Sequence, residues 1–180
     1  MKRIIILVLV LIWGTNSASY GQRSKIRLLY SSADISQLNR DTLDIKRVRH
    51  ATFSDSLVVR LKNKQKLVLA PNQIWGYQDE DNELYRYYDG EFYHVRQIDG
   101  LILYSRKPGK YTYYYFSQGG DGKLLSLNSS NLKKEFGNNP CFLNKMENDL
   151  KWYQDYSSYN DRTQSYRMIE FYKSCNGNTL

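Results

Sequence analysis

The side chains able to do nucleophilic or metal chemistry are few. His50 and His94 are the only imidazoles, and Cys141 and Cys175 the only thiols. Asp89-Gly90 and Asp99-Gly100 each read as a two-residue hairpin turn, because such turns need positive φ and Asp-Gly supplies it. That register sets His94 level with Tyr85 and Ser105. A Ser–His couple would do acyl transfer, but no third orienting group and no oxyanion arrangement accompany it. The plainer reading is a core histidine satisfied by a hydroxyl. Two cysteines without a nearby histidine do not make a four-ligand zinc site, and a Cys-x-x-Cys motif is absent. Asp79, Asp81 and Glu83 alternate as a calcium loop begins, but Leu84 stands where the sharp turn needs glycine, so a hairpin tip is expected. Gly-x-Ser-x-Gly, His-Glu-x-x-His and phosphate-binding glycine loops do not occur. No catalytic residue, cofactor site or metal site is therefore assigned. A carboxylate pair stays open, since two such acids need not be neighbours in sequence.

The same register sorts the hairpins into two surfaces. Tyr85, Tyr87, Phe92, His94, Arg96, Ile98, Leu101 and Leu103 form the first, more apolar surface, read as the core face. The second carries Leu84, Arg86, Tyr88, Glu91, Tyr93, Val95, Gln97, Ile102, Tyr104 and Arg106. There Arg86, Tyr93 and Arg106 make one row across three strands, flanked by Tyr88 and Tyr104. A guanidinium beside phenol rings suits cation–π contact and can hold a carboxylate or a sugar. Arg86, Tyr88, Tyr93, Tyr104 and Arg106 are thus the candidate ligand face. Packing of this row beneath the C-terminal helices, or pairing with Glu91, is the competing expectation.

The elements that must position these residues follow from periodicity. Residues 22–43 form an N-terminal segment in which Leu28, Leu29 and Tyr30 suit a short strand. Residues 44–127 read as an antiparallel β-meander of about seven or eight strands, an open sheet or a partly closed barrel. Leu57, Val59 and Leu61 alternate with Val58, Arg60 and Lys62, and Asn63-Lys64 turns the chain into residues 67–70. Asp81-Asn82, the three Asp-Gly pairs (the last is Asp121-Gly122) and Lys107-Pro108-Gly109-Lys110 punctuate the rest. Residues 128–180 change to a helical period, with two to three helices packed on the same domain. Leu132 and Phe136 lie one turn apart before Gly137, and Asn139-Pro140 reads as N-cap and first helical residue. Leu143, Met146, Leu150 and Tyr153 make the next stripe. Asn160 or Asp161 is expected to cap a last helix through Tyr166, Ile169 and Tyr172. The class is α+β.

Lys2 and Arg3, the apolar run Ile4 to Trp13 and the small residues that follow describe a signal peptide over residues 1–21, with Gln22 as the expected mature N-terminus. Ten apolar residues at about 1.5 Å each span about half the bilayer core, too little for a transmembrane helix. An exported chain meets an oxidising compartment, so Cys141 and Cys175 are expected to form a disulfide. No transmembrane span is expected after signal removal, and the location is the periplasm or the exterior. Charge is uneven: residues 22–66 carry 11 Lys and Arg against 4 Asp and Glu. Such a segment attracts anionic polymer or lipid headgroups, unless its cations merely guard edge strands. Nucleic acid is not an expected partner, for want of a binding motif.

Ile74-Trp75-Gly76-Tyr77, Tyr85-Arg86, Tyr104-Ser105 and Asn139-Pro140-Cys141-Phe142 resemble a group of uncharacterised secreted proteins of Gram-negative bacteria. The resemblance implies export and an envelope setting and carries no activity. With 17 tyrosines in 180 residues, the reading that emerges is an exported non-catalytic protein that binds a glycan, a peptide or an envelope protein. A small secreted hydrolase acting on envelope polymer through a carboxylate pair is the alternative, and a structural envelope protein the third.

Overall fold

The structure is a computed structural model, and it describes residues 25–36, 43–51, 54–150 and 156–177. The expected signal peptide, its cleavage site and Tyr153 lie outside the described residues.

In chain order the strands are β1 (Arg27–Leu29), β2 (Ile45–His50), β3 (Leu57–Leu61), β4 (Lys66–Leu69), β5 (Gly76–Gln78), β6 (Leu84–Tyr88), β7 (Glu91–Asp99), β8 (Leu101–Arg106), β9 (Tyr113–Gln118) and β10 (Leu125–Ser126). Helices α1 (Ser129–Phe136) and α2 (Pro140–Asn148) follow, then the short strands β11 (Tyr159–Asn160) and β12 (Ser165–Tyr166), then helix α3 (Arg167–Asn176). The fold is α+β: an open antiparallel sheet of seven strands in the order β1-β5-β6-β7-β8-β9-β10, followed by three helices.

Two expectations about the sheet need correction. Strands β2, β3 and β4 do not extend the meander; they form a separate three-stranded sheet. Asp121-Gly122 is not a two-residue turn, because β9 and β10 pair Phe116 with Leu125 and leave a wider loop between. Asp89-Gly90 does turn as expected, with φ of 48° and 76°, and Tyr88 faces Glu91. At the next turn the pairing is Asp99 with Leu101 and Ile98 with Ile102, one residue out of the expected register. A bulge between Val95 and Gln97 absorbs the difference, so Val95 meets Tyr104 and His94 meets Ser105 as anticipated. The bulge turns Gln97 onto the first face, opposite Leu103, and Ile98 onto the second, opposite Ile102.

Both faces of the large sheet are covered. The helices pack on the first face at its β8–β9 end, where Leu101, Leu103 and Phe116 meet Leu132, Phe136, Phe142, Met146, Met168 and Ile169. Phe142, not Leu143, leads the α2 stripe: Phe142 and Met146 are buried one turn apart while Leu143 is half-buried. The three-stranded sheet packs at the other end, with Ile45, Leu57, Val59 and Leu61 sharing a core with Leu28, Ile74 and Tyr87. Each such side chain contributes about 1.5–3 kcal/mol of burial.

Asn139 caps α2 as expected, its side chain accepting from the Phe142 amide at 3.0 Å. Helix α3 begins at Arg167, later than Asn160 or Asp161, because β11 and β12 first form a hairpin with Gln164 at φ 52° in its turn. Gln97 holds that hairpin to the sheet: its side-chain amide donates to Ser165 Oγ, and its carbonyl accepts from the Tyr166 amide, each at 2.8 Å. The disulfide Cys141–Cys175 joins the start of α2 to the end of α3, with Cα atoms 5.7 Å apart.

Candidate functional site

The five residues of the expected ligand face do lie on one face of the sheet, but three of them are covered. Arg86, Tyr93 and Tyr104 are buried, at 4%, 8% and 0% exposure. The cover is not the helices, which lie on the opposite face. Leu29, Trp75, Ile102 and Leu124 build a core over this side, with Ile35 and Tyr115 at its margin. The loop between β9 and β10 folds across it: Trp75 Nε1 donates to the Gly120 carbonyl at 2.8 Å, and Ser32 donates to Asp121 at 2.9 Å.

Inside this core the Arg86 guanidinium donates to Tyr104 Oη at 3.0 Å, Ser117 Oγ at 3.3 Å and the Gly122 carbonyl at 2.9 Å. It also lies 5.1 Å from the Tyr88 ring centre and 5.6 Å from those of Trp75 and Tyr104. Arg86 is thus held by acceptors and ring faces, a cost-reducing arrangement for a buried cation. Burial raises the Tyr104 phenol pKa against the opposing pull of Arg86, so the hydroxyl stays protonated. Arg106 stands at the open margin of the same face, where it pairs with Glu91 and is half-buried.

The first face offers the more open arrangement. Between the helices and the three-stranded sheet lies a cavity of about 330 Å³ lined by Tyr77, Tyr85, Phe92, His94, Arg96, Ser105, Arg106 and Lys107. Register places Tyr77, Tyr85, His94 and Ser105 in one row across β5 to β8. The Tyr77 and Tyr85 rings stack with centroids 4.9 Å apart and planes 11° apart, and Tyr85 and His94 stack at 4.9 Å and 22°. These distances match the spacing of neighbouring strands, so the rings stand edge-on to the sheet. Ring faces are used within the stack, and Phe92 stands at 84° to Tyr77 with centroids 5.2 Å apart.

Polar groups complete the trough. Burial first, then the neighbouring Tyr85 and Asp79, push the Tyr77 phenol up to about 12. Burial, with Asp79 and Glu83 adding to it and Arg96 opposing, raises the Tyr85 phenol also. Both hydroxyls are therefore donors at neutral pH. Arg96 is exposed and donates through Nε to Ser105 Oγ at 2.7 Å, and Lys107 is exposed beside it. The Ser–His couple is not formed. Ser105 is buried with its hydroxyl engaged by Arg96, and His94 Nε2 is engaged by Glu83. In the acidic turn, Asp79 Oδ1 accepts from the Asp81 and Glu83 amides at 2.9 Å each, which makes it a turn cap. Among the described residues no group of three or more His, Cys, Asp and Glu side chains is placed to hold a metal ion.

Alternation already set Tyr85, Phe92 and His94 on one face. Tyr77 joins them through the β5–β6 pairing, for which the Trp75-Gly76 step was the signal. Gly76 is required there, since a Cβ would lie 2.0 Å from the Tyr85 carbonyl oxygen. No family model matches the sequence, and neither the curated proteins nor the solved structures give a match.

Proposed function

We propose that this chain is an exported, non-catalytic binding protein, and that its ligand meets the first-face trough through an anionic group, a carboxylate on a glycan or peptide. The observation that carries the reading is the stacked Tyr77–Tyr85–His94 row ending beside Arg96 and Lys107 in an open cavity. Two protonated phenols and two exposed cations favour negative charge at the Arg96 end, away from Glu83 and Asp79, and Arg96 offers the planar donor fork that suits a carboxylate. Tyrosine supplies contact area at low side-chain entropy cost, which favours recognition of polar partners. The disulfide is in keeping with an oxidising compartment, as export would require.

Calorimetric titration with uronic-acid oligosaccharides and with their neutral counterparts tests it, alongside a panel of acidic peptides. Acidic ligands should bind and neutral ones should not. Arg96→Ala should weaken binding about tenfold or more, the range for losing a charged hydrogen bond, without a large change in melting temperature. Binding of neutral sugars alone, or acidic binding indifferent to Arg96→Ala, would overturn this site. Turnover of an envelope polymer abolished by one carboxylate substitution would replace the binding reading with the hydrolase.

A further inference from the structure

The small sheet carries a second surface, independent of the trough. Its inner face holds Ile45, Val48, Leu57, Val59, Leu61 and Leu67. Alternation leaves Arg47, Arg49, Val58, Arg60, Lys66 and Val68 for the outer face. Register puts Arg47, Arg60 and Lys66 in one row and Arg49, Val58 and Val68 in the next. Within the three strands each of these outer side chains is a cation or a valine, and Asp44, just before β2, is the carboxylate at the end of the sheet.

Neighbouring strands lie about 4.8 Å apart, and like charges directly opposite destabilise a sheet. Among the described residues no carboxylate forms an ion pair with any of these four cations; Asp44 is taken by Lys25 and Lys62. Protection of sheet edges explains basic residues on β2 and β4. It does not explain Arg60, because β3 is the central strand. Nor does it explain Val68, which is 65% exposed in the midst of the charge.

We propose that this face docks on an anionic phospholipid surface. Basic side chains near such a surface are attracted by its negative potential, and apolar side chains among them enter the headgroup boundary. The six outer residues include no aromatic ring. Single-stranded nucleic acid is instead held by grooves with stacking rings. The cations stand on neighbouring strands of one sheet and so present their charge to one partner surface, although Arg47 also shares a cavity with Asp79, Glu80 and Asp81.

Sedimentation of the purified exported protein with vesicles tests this. Vesicles of phosphatidylcholine with about one-third phosphatidylglycerol should bind it at low salt, and binding should fall as salt rises. Pure phosphatidylcholine should not bind it. The triple variant Arg47→Gln, Arg60→Gln, Lys66→Gln should lose about a hundredfold in partition, at about fivefold per basic residue. Its melting temperature should hold or rise, since opposed like charges are removed. Should that variant fail to fold, Val68→Asp leaves the charged row intact and should still weaken partition several-fold. Equal binding to both vesicle types, or partition unchanged in whichever variant folds, would overturn the proposal. So would preference for a soluble acidic polysaccharide or nucleic acid that outcompetes the anionic vesicles.

Discussion

Arg86 on β6 and Arg96 on β7 sit on neighbouring strands of one sheet, and their surroundings are opposite. Arg86 points into a core, with three hydrogen-bond acceptors and three aromatic rings around its guanidinium. Arg96 stands exposed at the margin of a cavity, with Ser105 on its Nε. Burial of a cation costs free energy unless its donors are satisfied, so the first site has its acceptors built in. Solvent already stabilises the second, which leaves its outer donors free to exchange water for a ligand. A Tyr-and-Arg pattern on a strand therefore fits either a core or a binding surface. The deciding factor is whether a distant segment supplies the acceptors.

Substitutions at both sites sharpen this contrast. Arg86→Met should have the largest effect, a loss of roughly 3–4 kcal/mol, because the Gly122 carbonyl and two hydroxyls lose a charged donor in a buried setting. Chemical denaturation measures it, and a loss below about 1 kcal/mol would mean that the second face is open to water. Gly76→Ala should cost about 1–3 kcal/mol, since its Cβ meets backbone rather than a movable side chain. An unchanged melting temperature would show that β5 and β6 are not paired as described.

Alkaline titration examines the Tyr77 phenol of the first face. The Tyr77 phenol pKa is raised to about 12 in the folded state, against about 10 when unfolded. Between these values the unfolded chain holds fewer protons, so stability falls as pH rises through that window and is complete below pH 10. Tyr77→Phe should flatten this part of the stability profile; a profile identical to that of the parent would remove the burial argument for the trough. The smallest effect belongs to Arg106→Ala. Its pair with Glu91 is partly exposed, and such pairs contribute about 0–1 kcal/mol. A loss as large as that of Arg86→Met would erase the distinction between a row member in the core and one at the surface.

Local chemistry made much of the fold readable. Asp89-Gly90 supplied two positive φ angles, Asn139-Pro140 supplied a cap and a first turn, and Cys141 and Cys175 fell at adjacent helix ends. The bulge at Arg96 left no such mark, and from it came the misplacement of Gln97 and Ile98. The separation of β2–β4 was likewise hidden, because a period of two gives strands without naming their sheet. The buried state of Arg86 depends on Gly122, 36 residues away, and no pattern within β6 announces that contact. The trough was half visible: one alternation grouped Tyr85, Phe92 and His94, but the gap between two covering layers is a property of the assembled sheet.

Gln97 has a consequence for exchange with solvent. The Tyr166 amide belongs to a strand two residues long, whose hydrogens would ordinarily be replaced by deuterium as fast as a fraying hairpin opens. Its acceptor is instead the side chain of a residue on the nine-residue strand β7. Deuterium uptake at this one amide therefore times the release of the hairpin, with α3 behind it, from the large sheet. Substitution of Gln97 by Ala would leave every strand in place and still quicken that clock.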